Sequence, residues 1–133
     1  MATSLIAPGA VIDGFTIGEC VHHGGMATLW TVTHPDIAAP LLMKIPRVAE
    51  GEDPAAIVSF EMEMMILPRL KGAHVPACFG TGDFARQAYV VIERIAGQTL
   101  YSRINELPIP YEEARGIAGK IATALAERLL EGR

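Results

Sequence analysis

Leu41-Leu42-Met43-Lys44-Ile45-Pro46 is an apolar run with one lysine in it, and it predicts a strand that brings a cation next to a core. Burying a charged side chain costs free energy unless an anionic group meets it. Glu63 follows nineteen residues later, on a predicted helix, and is the candidate partner. The alternative is an edge-strand lysine whose stem packs while its head reaches water.

The segments around this run predict the rest of a sheet. Two stretches in which apolar and polar residues roughly alternate, 11–21 and 26–32, flank Gly24-Gly25, so a hairpin is expected there. Two more short strands are expected at 77–82 and 88–92. The predicted sheet therefore has five antiparallel strands.

Three helices complete the predicted α+β fold. Asp53 can cap the first helix and Pro54 suits its first position, and Pro68 is expected to kink its last turn. A short helix is expected at 98–105. An Ala-rich helix of roughly five turns then begins at Tyr111. One helix should pack on the sheet, with an α-helical segment following.

Composition excludes several classes of function. The 133 residues suit one domain, and the net charge of −4 offers no basic surface for nucleic acid. No apolar run is long enough to span a membrane and no leader segment is evident, so a cytoplasmic protein is expected. Cys20 and Cys78 form no C-x-x-C pair and are expected to be reduced and packed in strands. The four histidines lack partners at metal-ligand spacing.

Residues 21–30 resemble the glycine-rich loop of bacterial serine/threonine protein kinases, commonly L-G-x-G-G-M-G-x-V-Y. His22 and Ala27 stand where that pattern has glycines, and an ordinary hairpin turn is the alternative. Residues 41–44 occupy the place of the kinase V-A-I-K. Leu42 replaces the small alanine that lies against the adenine ring, and it would crowd the purine pocket.

Residues 88–100 closely resemble the kinase fifth strand and hinge, although a buried strand followed by a glycine turn would also account for them. The resemblance implies that Ile92 is the gatekeeper and that the backbone of Glu93 and Ile95 bonds the adenine edge. Kinase helices also place leucines four and seven residues after the pairing glutamate, which Glu63 satisfies and Glu61 does not.

Over residues 11–130 the chain thus resembles the N-terminal lobe of a bacterial, eukaryotic-like serine/threonine protein kinase. The small, neutral residues 1–10 predict a flexible lead-in. The resemblance implies a nucleotide-binding region at 11–96 and the start of a C-terminal lobe at 97–133. Lys44 would hold the phosphates of ATP and Glu63 would orient Lys44. The other implied ATP-binding residues are Val21, His22, Gly24, Gly25, Ala27, Leu29, Leu42, Ile92, Glu93 and Ile95.

The chain contains no H-R-D and no D-F-G motif, which in kinases supply the catalytic aspartate and the magnesium ligands. We therefore expect a lobe truncated before the catalytic loop and inactive alone, whose partners are ATP with magnesium and a protein substrate or the C-terminal lobe of a longer enzyme. An apolar stripe of the last helix predicts self-association through 98–133, or packing of that segment back onto the sheet. Its members are Ile117, Ile121, Leu125 and Leu129.

Two other functions remain open at this point. A non-catalytic, kinase-like (pseudokinase) interaction module is favoured by His22, Ala27 and Leu42. An unrelated small α+β binding protein is the third reading, and it requires the hinge resemblance to be accidental.

Overall fold

The computed structural model describes residues 6–47 and 54–131. All strand pairs are antiparallel and form one six-stranded sheet in the order β1-β2-β3-β4-β6-β5. The strands are β1 (Val11–Ile12), β2 (Phe15–His23), β3 (Ala27–His34), β4 (Ile37–Pro46), β5 (Cys78–Gly82) and β6 (Tyr89–Glu93). The helices are α1 (Pro54–Ile66) and α2 (Tyr111–Glu131), with short 3₁₀ segments at Leu67–Arg69 and Tyr101–Glu106. The predicted α+β class is confirmed.

The sheet has six strands rather than the predicted five, because the first predicted strand is broken. Asp13 and Gly14 both have positive φ, at 50° and 86°. They form a tight turn that folds Val11–Ile12 back onto the start of β2. Only glycine and a few short polar residues adopt such angles readily, and this aspartate is one of them.

The helical predictions differ from the structure mainly at their ends. α1 runs to Ile66, and Pro68 lies in the 3₁₀ segment that follows rather than in a kinked α-helical turn. The short helix expected at 98–105 is the 3₁₀ segment Tyr101–Glu106. Asp53, the predicted cap, lies outside the described residues.

Strand β4 has one buried face and one half-buried face. Leu41, Met43 and Ile45 are buried in the larger core. Leu42, Lys44 and Pro46 alternate with them and are half-buried. Because successive side chains of a strand point to opposite faces, the lysine does not enter the core beside it. Lys44 therefore lies next to the core and is half-buried rather than enclosed.

Helix α1 covers the second face of the sheet. Phe60 is buried against Ala88 and Val90 in a smaller core. Its ring packs edge-to-face against that of Phe84, with 6.1 Å between the ring centroids. Val90 pairs directly with Lys44 across β4 and β6, so the two share a face. The helix therefore lies on the side of the sheet that carries the lysine.

The chain divides into two compact units, Met1–Lys71 with Pro76–Arg94 and Gly72–Val75 with Ile95–Arg133. In the second unit the ring of His74 lies 2.8 Å from a carboxylate oxygen of Glu127. None of the helices formed by the described residues is long and apolar enough to cross a membrane.

An arginine with two carboxylate partners joins the 3₁₀ segment to α2. Arg103 donates to Glu106 at 2.6 Å and also to Glu113. These hydrogen bonds, chiefly the one to Glu113, raise the pKa of Arg103, and the same contact lowers the pKa of Glu113. Both groups are therefore held in their charged forms.

Candidate functional site

Lys44 and Glu63 meet between strand β4 and helix α1. The Nζ atom of Lys44 donates to both carboxylate oxygens of Glu63, each at 3.0 Å. The predicted pairing is therefore present. Each side chain keeps 33% of its surface exposed, so the pair is open to water on one side. Ion pairs this exposed stabilise a fold by about 0.5 kcal/mol. The main effect of this pair is therefore to hold the ammonium group of Lys44 in a defined position.

The choice between the two nearby glutamates agrees with their surroundings. Glu61 is exposed on α1, two residues before Glu63 and on a different side of the helix. Glu63 is half-buried against β4. The geometry thus joins the lysine to the predicted partner.

The predicted base-framing residues share one face of the sheet with Lys44. In the register of the central strands Leu29 pairs with Lys44, while Leu42 pairs with Ile92. Directly paired residues of antiparallel strands point to the same face. Leu29, Leu42 and Ile92 are each half-buried. They form an apolar surface beside the ammonium group that is not sealed within a core.

The turn between β2 and β3 consists of Gly24, Gly25 and Met26. The N–H of Gly24 donates to the carbonyl oxygen of Ala27 at 3.0 Å. Within the described part of the chain, the N–H groups of Gly25 and Met26 have no hydrogen-bond acceptor. Neither glycine has positive φ. The turn therefore presents two free backbone donors without needing glycine for its conformation.

Space around the two glycines differs. A Cβ on Gly24 would lie 3.1 Å from the Ala27 carbonyl oxygen and 3.1 Å from Nε2 of His22. A Cβ on Gly25 would meet nothing within 4 Å. The open side of Gly25 is a place where a ligand could approach the backbone closely.

A cavity of about 190 Å³ lies between the turn, β4 and α1. Two cations and one anion line it, namely Lys44, Arg47 and Glu63. Met26 and Phe60 are among its apolar lining residues. A cavity with this charge pattern suits an anionic group that gains from two cations while the carboxylate fixes one of them.

Four other predicted site residues lie outside the apolar surface of Leu29, Leu42 and Ile92. Val21 is 43% exposed and has no partner in the irregular pairing of β2 with β3, whereas His22 pairs with Leu29. The N–H of Glu93 donates to the Ala77 carbonyl oxygen at 2.8 Å, so only the carbonyl of Glu93 remains for a base edge. Ile95 belongs to the second unit.

The two cysteines lie in strands but differ in burial. Cys78 in β5 is half-buried, and this burial raises the pKa of its thiol. Cys20 in β2 is exposed, which corrects the expectation that both pack. In the described ranges no three His, Cys, Asp or Glu side chains cluster closely enough to hold a metal ion.

Sequence reasoning missed two residues of structural interest near these elements. Arg47 donates from its guanidinium to the Gly24 carbonyl oxygen at 2.8 Å, and its only signal in the sequence is a second cation three residues after Lys44. Asp13 accepts a 2.6 Å hydrogen bond from the hydroxyl of buried Tyr89, a contact across 76 residues that no local pattern reveals.

Comparison with known proteins identifies the fold. The chain is 28% identical over 115 residues to a probable serine/threonine-protein kinase PknB of Lactococcus lactis, and this match covers 85% of the chain but 18% of that protein. No family model matches the chain.

Solved kinase structures superpose on most of the chain. A double mutant of the Mycobacterium tuberculosis PknI kinase domain matches with a TM-score of 0.74 at 23% identity, covering 94% of this chain and 49% of that one. Rad53 in complex with AMP-PNP matches with a TM-score of 0.67 at 20% identity, over 90% of this chain and 31% of that one. The resemblance to the N-terminal lobe of a bacterial serine/threonine kinase is thereby confirmed.

Proposed function

We propose that this chain, which has the fold of a protein-kinase N-terminal lobe, binds Mg-ATP as the nucleotide-binding lobe of a serine/threonine protein kinase. The observation that carries the proposal is the two-oxygen contact of Glu63 with Lys44 beside a glycine turn that has free N–H groups. The chain spans about half of the PknI kinase domain that it matches, and 18% of the PknB protein.

Each part of the site has a physical role in this proposal. The ammonium group of Lys44 attracts the phosphates, and Glu63 holds that group in place. The N–H groups of Gly25 and Met26 donate to phosphate oxygens, as oriented backbone donors do in other anion sites. The apolar surface of Leu29, Leu42 and Ile92 contacts the base, with Val21, His22 and Ala27 at its border. Bound ATP supplies the phosphoryl group.

Phosphate transfer requires more than these residues. The chain has no H-R-D or D-F-G motif, so in this proposal it holds the nucleotide but neither activates a substrate hydroxyl nor ligates magnesium by itself. In the whole protein the phosphoryl group passes from Mg-ATP to a protein hydroxyl. A cytoplasmic location, where ATP is abundant, belongs to the same proposal.

Calorimetric titration with Mg-ATP tests nucleotide binding. We expect binding by the unmodified chain and its loss in Lys44→Met, which removes the cation but keeps a stem of similar length. Lys71→Met is the matched control, since Lys71 is an exposed lysine of the same unit. The proposal fails if the unmodified chain shows neither binding heat nor a raised melting temperature in saturating ATP.

A non-catalytic interaction module is the second candidate, and Leu42 is the observation that favours it. Leu42 pairs with Ile92 in the row of residues that would receive the base, so its side chain takes space there. If the lobe binds ATP but Leu42 narrows the site, Leu42→Ala should strengthen ATP binding severalfold. Because Leu42 is half-buried, the loss of stability should be smaller than the roughly 2–5 kcal/mol typical of core leucines.

Titration of both forms distinguishes the two candidates. Stronger binding by Leu42→Ala supports a nucleotide lobe with a crowded pocket. Absence of binding in both forms supports the interaction module. Val32→Ala is a control for a shortened apolar side chain, because Val32 is buried in the other core.

A further inference from the structure

Arg47 contacts the glycine turn at two points. Its backbone N–H donates to the carbonyl oxygen of Met26 at 2.8 Å, and its Nη1 donates to the carbonyl oxygen of Gly24, also at 2.8 Å. One residue thus engages two carbonyl groups of a three-residue turn. The contact is made from the end of β4, three residues beyond Lys44.

This arrangement gives the turn a polarity. The carbonyl oxygens of Gly24 and Met26 are directed to Arg47, and the Gly24 N–H is used by Ala27. The N–H groups left without an acceptor in the described chain are those of Gly25 and Met26. A turn held in this way offers two donors to an anion, while two of its three carbonyl oxygens are engaged by Arg47.

We propose that Arg47 is a positioning residue that clamps the glycine turn so that the Gly25 and Met26 N–H groups are presented to the phosphates of a nucleotide. The inference rests on the proposed function. His22 and Ala27, which stand where the kinase pattern has glycines, lie in β2 and β3, so Arg47 acts on the three residues between these strands.

Amide hydrogen exchange of the nucleotide-free chain tests the clamp directly. We expect Arg47→Met, which has no donor, to raise exchange at the Gly24 N–H by roughly threefold to tenfold, the scale of one ordinary hydrogen bond. The amide of Val91 in β6 is the reference for global opening and should not change. Arg47→Lys restores a donor and should recover part of the protection.

Titration supplies the second readout. Arg47→Met should weaken ATP binding by a similar factor and leave adenosine binding unchanged, because adenosine has no phosphate to meet the turn. Arg69→Met is the matched control, removing one exposed positive charge elsewhere in the same unit. It should alter neither quantity.

The outcomes separate the clamp from the proposed function. Unchanged Gly24 exchange in Arg47→Met overturns the clamp, whether ATP binding weakens through lost charge alone or stays the same. If the unmodified chain binds no ATP, the nucleotide proposal fails and the role given to the clamp in phosphate binding fails with it. Faster Gly24 exchange would still show that Arg47 holds the turn.

Discussion

Gly24 and Gly25 are neighbours in one turn, yet an added methyl group meets different surroundings at each. At Gly24 it would press on the backbone carbonyl of Ala27 at 3.1 Å, whereas at Gly25 it would meet nothing within 4 Å. Both residues have backbone angles that alanine can adopt. The same substitution therefore separates stability from ligand binding.

We predict that Gly25→Ala keeps the free energy of unfolding within about 0.5 kcal/mol of the unmodified chain, as for an exposed substitution without new contacts. Its methyl group would occupy the open side of the turn and weaken ATP binding. Gly24→Ala should instead lower stability by about 1 kcal/mol through crowding. Urea unfolding and ATP titration of both variants measure this, and equal ATP affinity in Gly25→Ala and the unmodified chain would refute the role of the turn.

The surroundings of Tyr89 lead to a prediction about how stability depends on pH. It is buried, and burial followed by the hydrogen bond to Asp13 raises the pKa of its hydroxyl well above the ordinary 10.0. The folded chain thus keeps this proton at a pH where the unfolded chain has lost it. The stabilising contribution is complete below pH 10.0 and is lost as the pH rises through the raised pKa.

We expect Tyr89→Phe to lower the free energy of unfolding by about 1 kcal/mol near neutral pH, where one hydrogen bond is lost. Above the ordinary tyrosine pKa the unmodified chain should lose stability more steeply than the variant, so the difference shrinks. Urea unfolding at a series of alkaline pH values measures both slopes. Tyr111→Phe, which changes a 77% exposed tyrosine, should run parallel to the unmodified chain. Parallel curves for Tyr89→Phe would contradict the argument.

At the scale of elements, sequence pattern predicted β4 and α1 well because each has a strong local signal. The apolar run that ends at Pro46 marks a strand, although β4 begins earlier, at Ile37, and the apolar spacing after Pro54 marks a helix. The break between β1 and β2 was not predicted, because an aspartate with positive φ has no reliable signature. The Leu29, Leu42 and Ile92 surface required the register of three strands, which follows from pairing and not from composition.

Helix α2 leads to a prediction about self-association. Ile121 and Leu125 lie one turn apart and are 50% and 60% exposed, while Leu129 is outside the residues whose side chains are described. We propose that this apolar stripe drives self-association of the chain, since exposed apolar surface of this kind favours burial against a partner.

Leu125→Glu should therefore shift the chain toward the monomer in a concentration series followed by light scattering. The control is Thr123→Glu, which adds the same charge at an exposed position on another side of the helix. Self-association through this stripe is refuted if the unmodified chain is monomeric at every concentration, or if both variants dissociate equally.

At the scale of the whole molecule, the order of strands and helices was predictable from the sequence, but the grouping of one short segment was not. Residues 72–75 lie between α1 and β5 in sequence, yet they group with 95–133. The contact between His74 and Glu127 spans 53 residues, and neither side chain lies in a pattern that points to the other. The boundaries predicted at 10/11 and 96/97 stay predictions. Which distant segments form one compact unit depends on how their surfaces fit together in three dimensions. Local sequence pattern indicates only which residues are buried.

The alternation of buried and half-buried side chains along β4 also affects how the sequence of this protein can evolve. Positions 41, 43 and 45 are committed to the core, so substitutions there endanger the fold. Positions 42, 44 and 46 lie on the other face and are half-buried, so they can vary at small cost in folding. A lineage could thus lose or regain a ligand through even-numbered positions alone, while the odd-numbered positions preserve the scaffold. Substitutions at positions 41, 43 and 45 should therefore cause folding defects, whereas substitutions at positions 42, 44 and 46 should alter ligand binding.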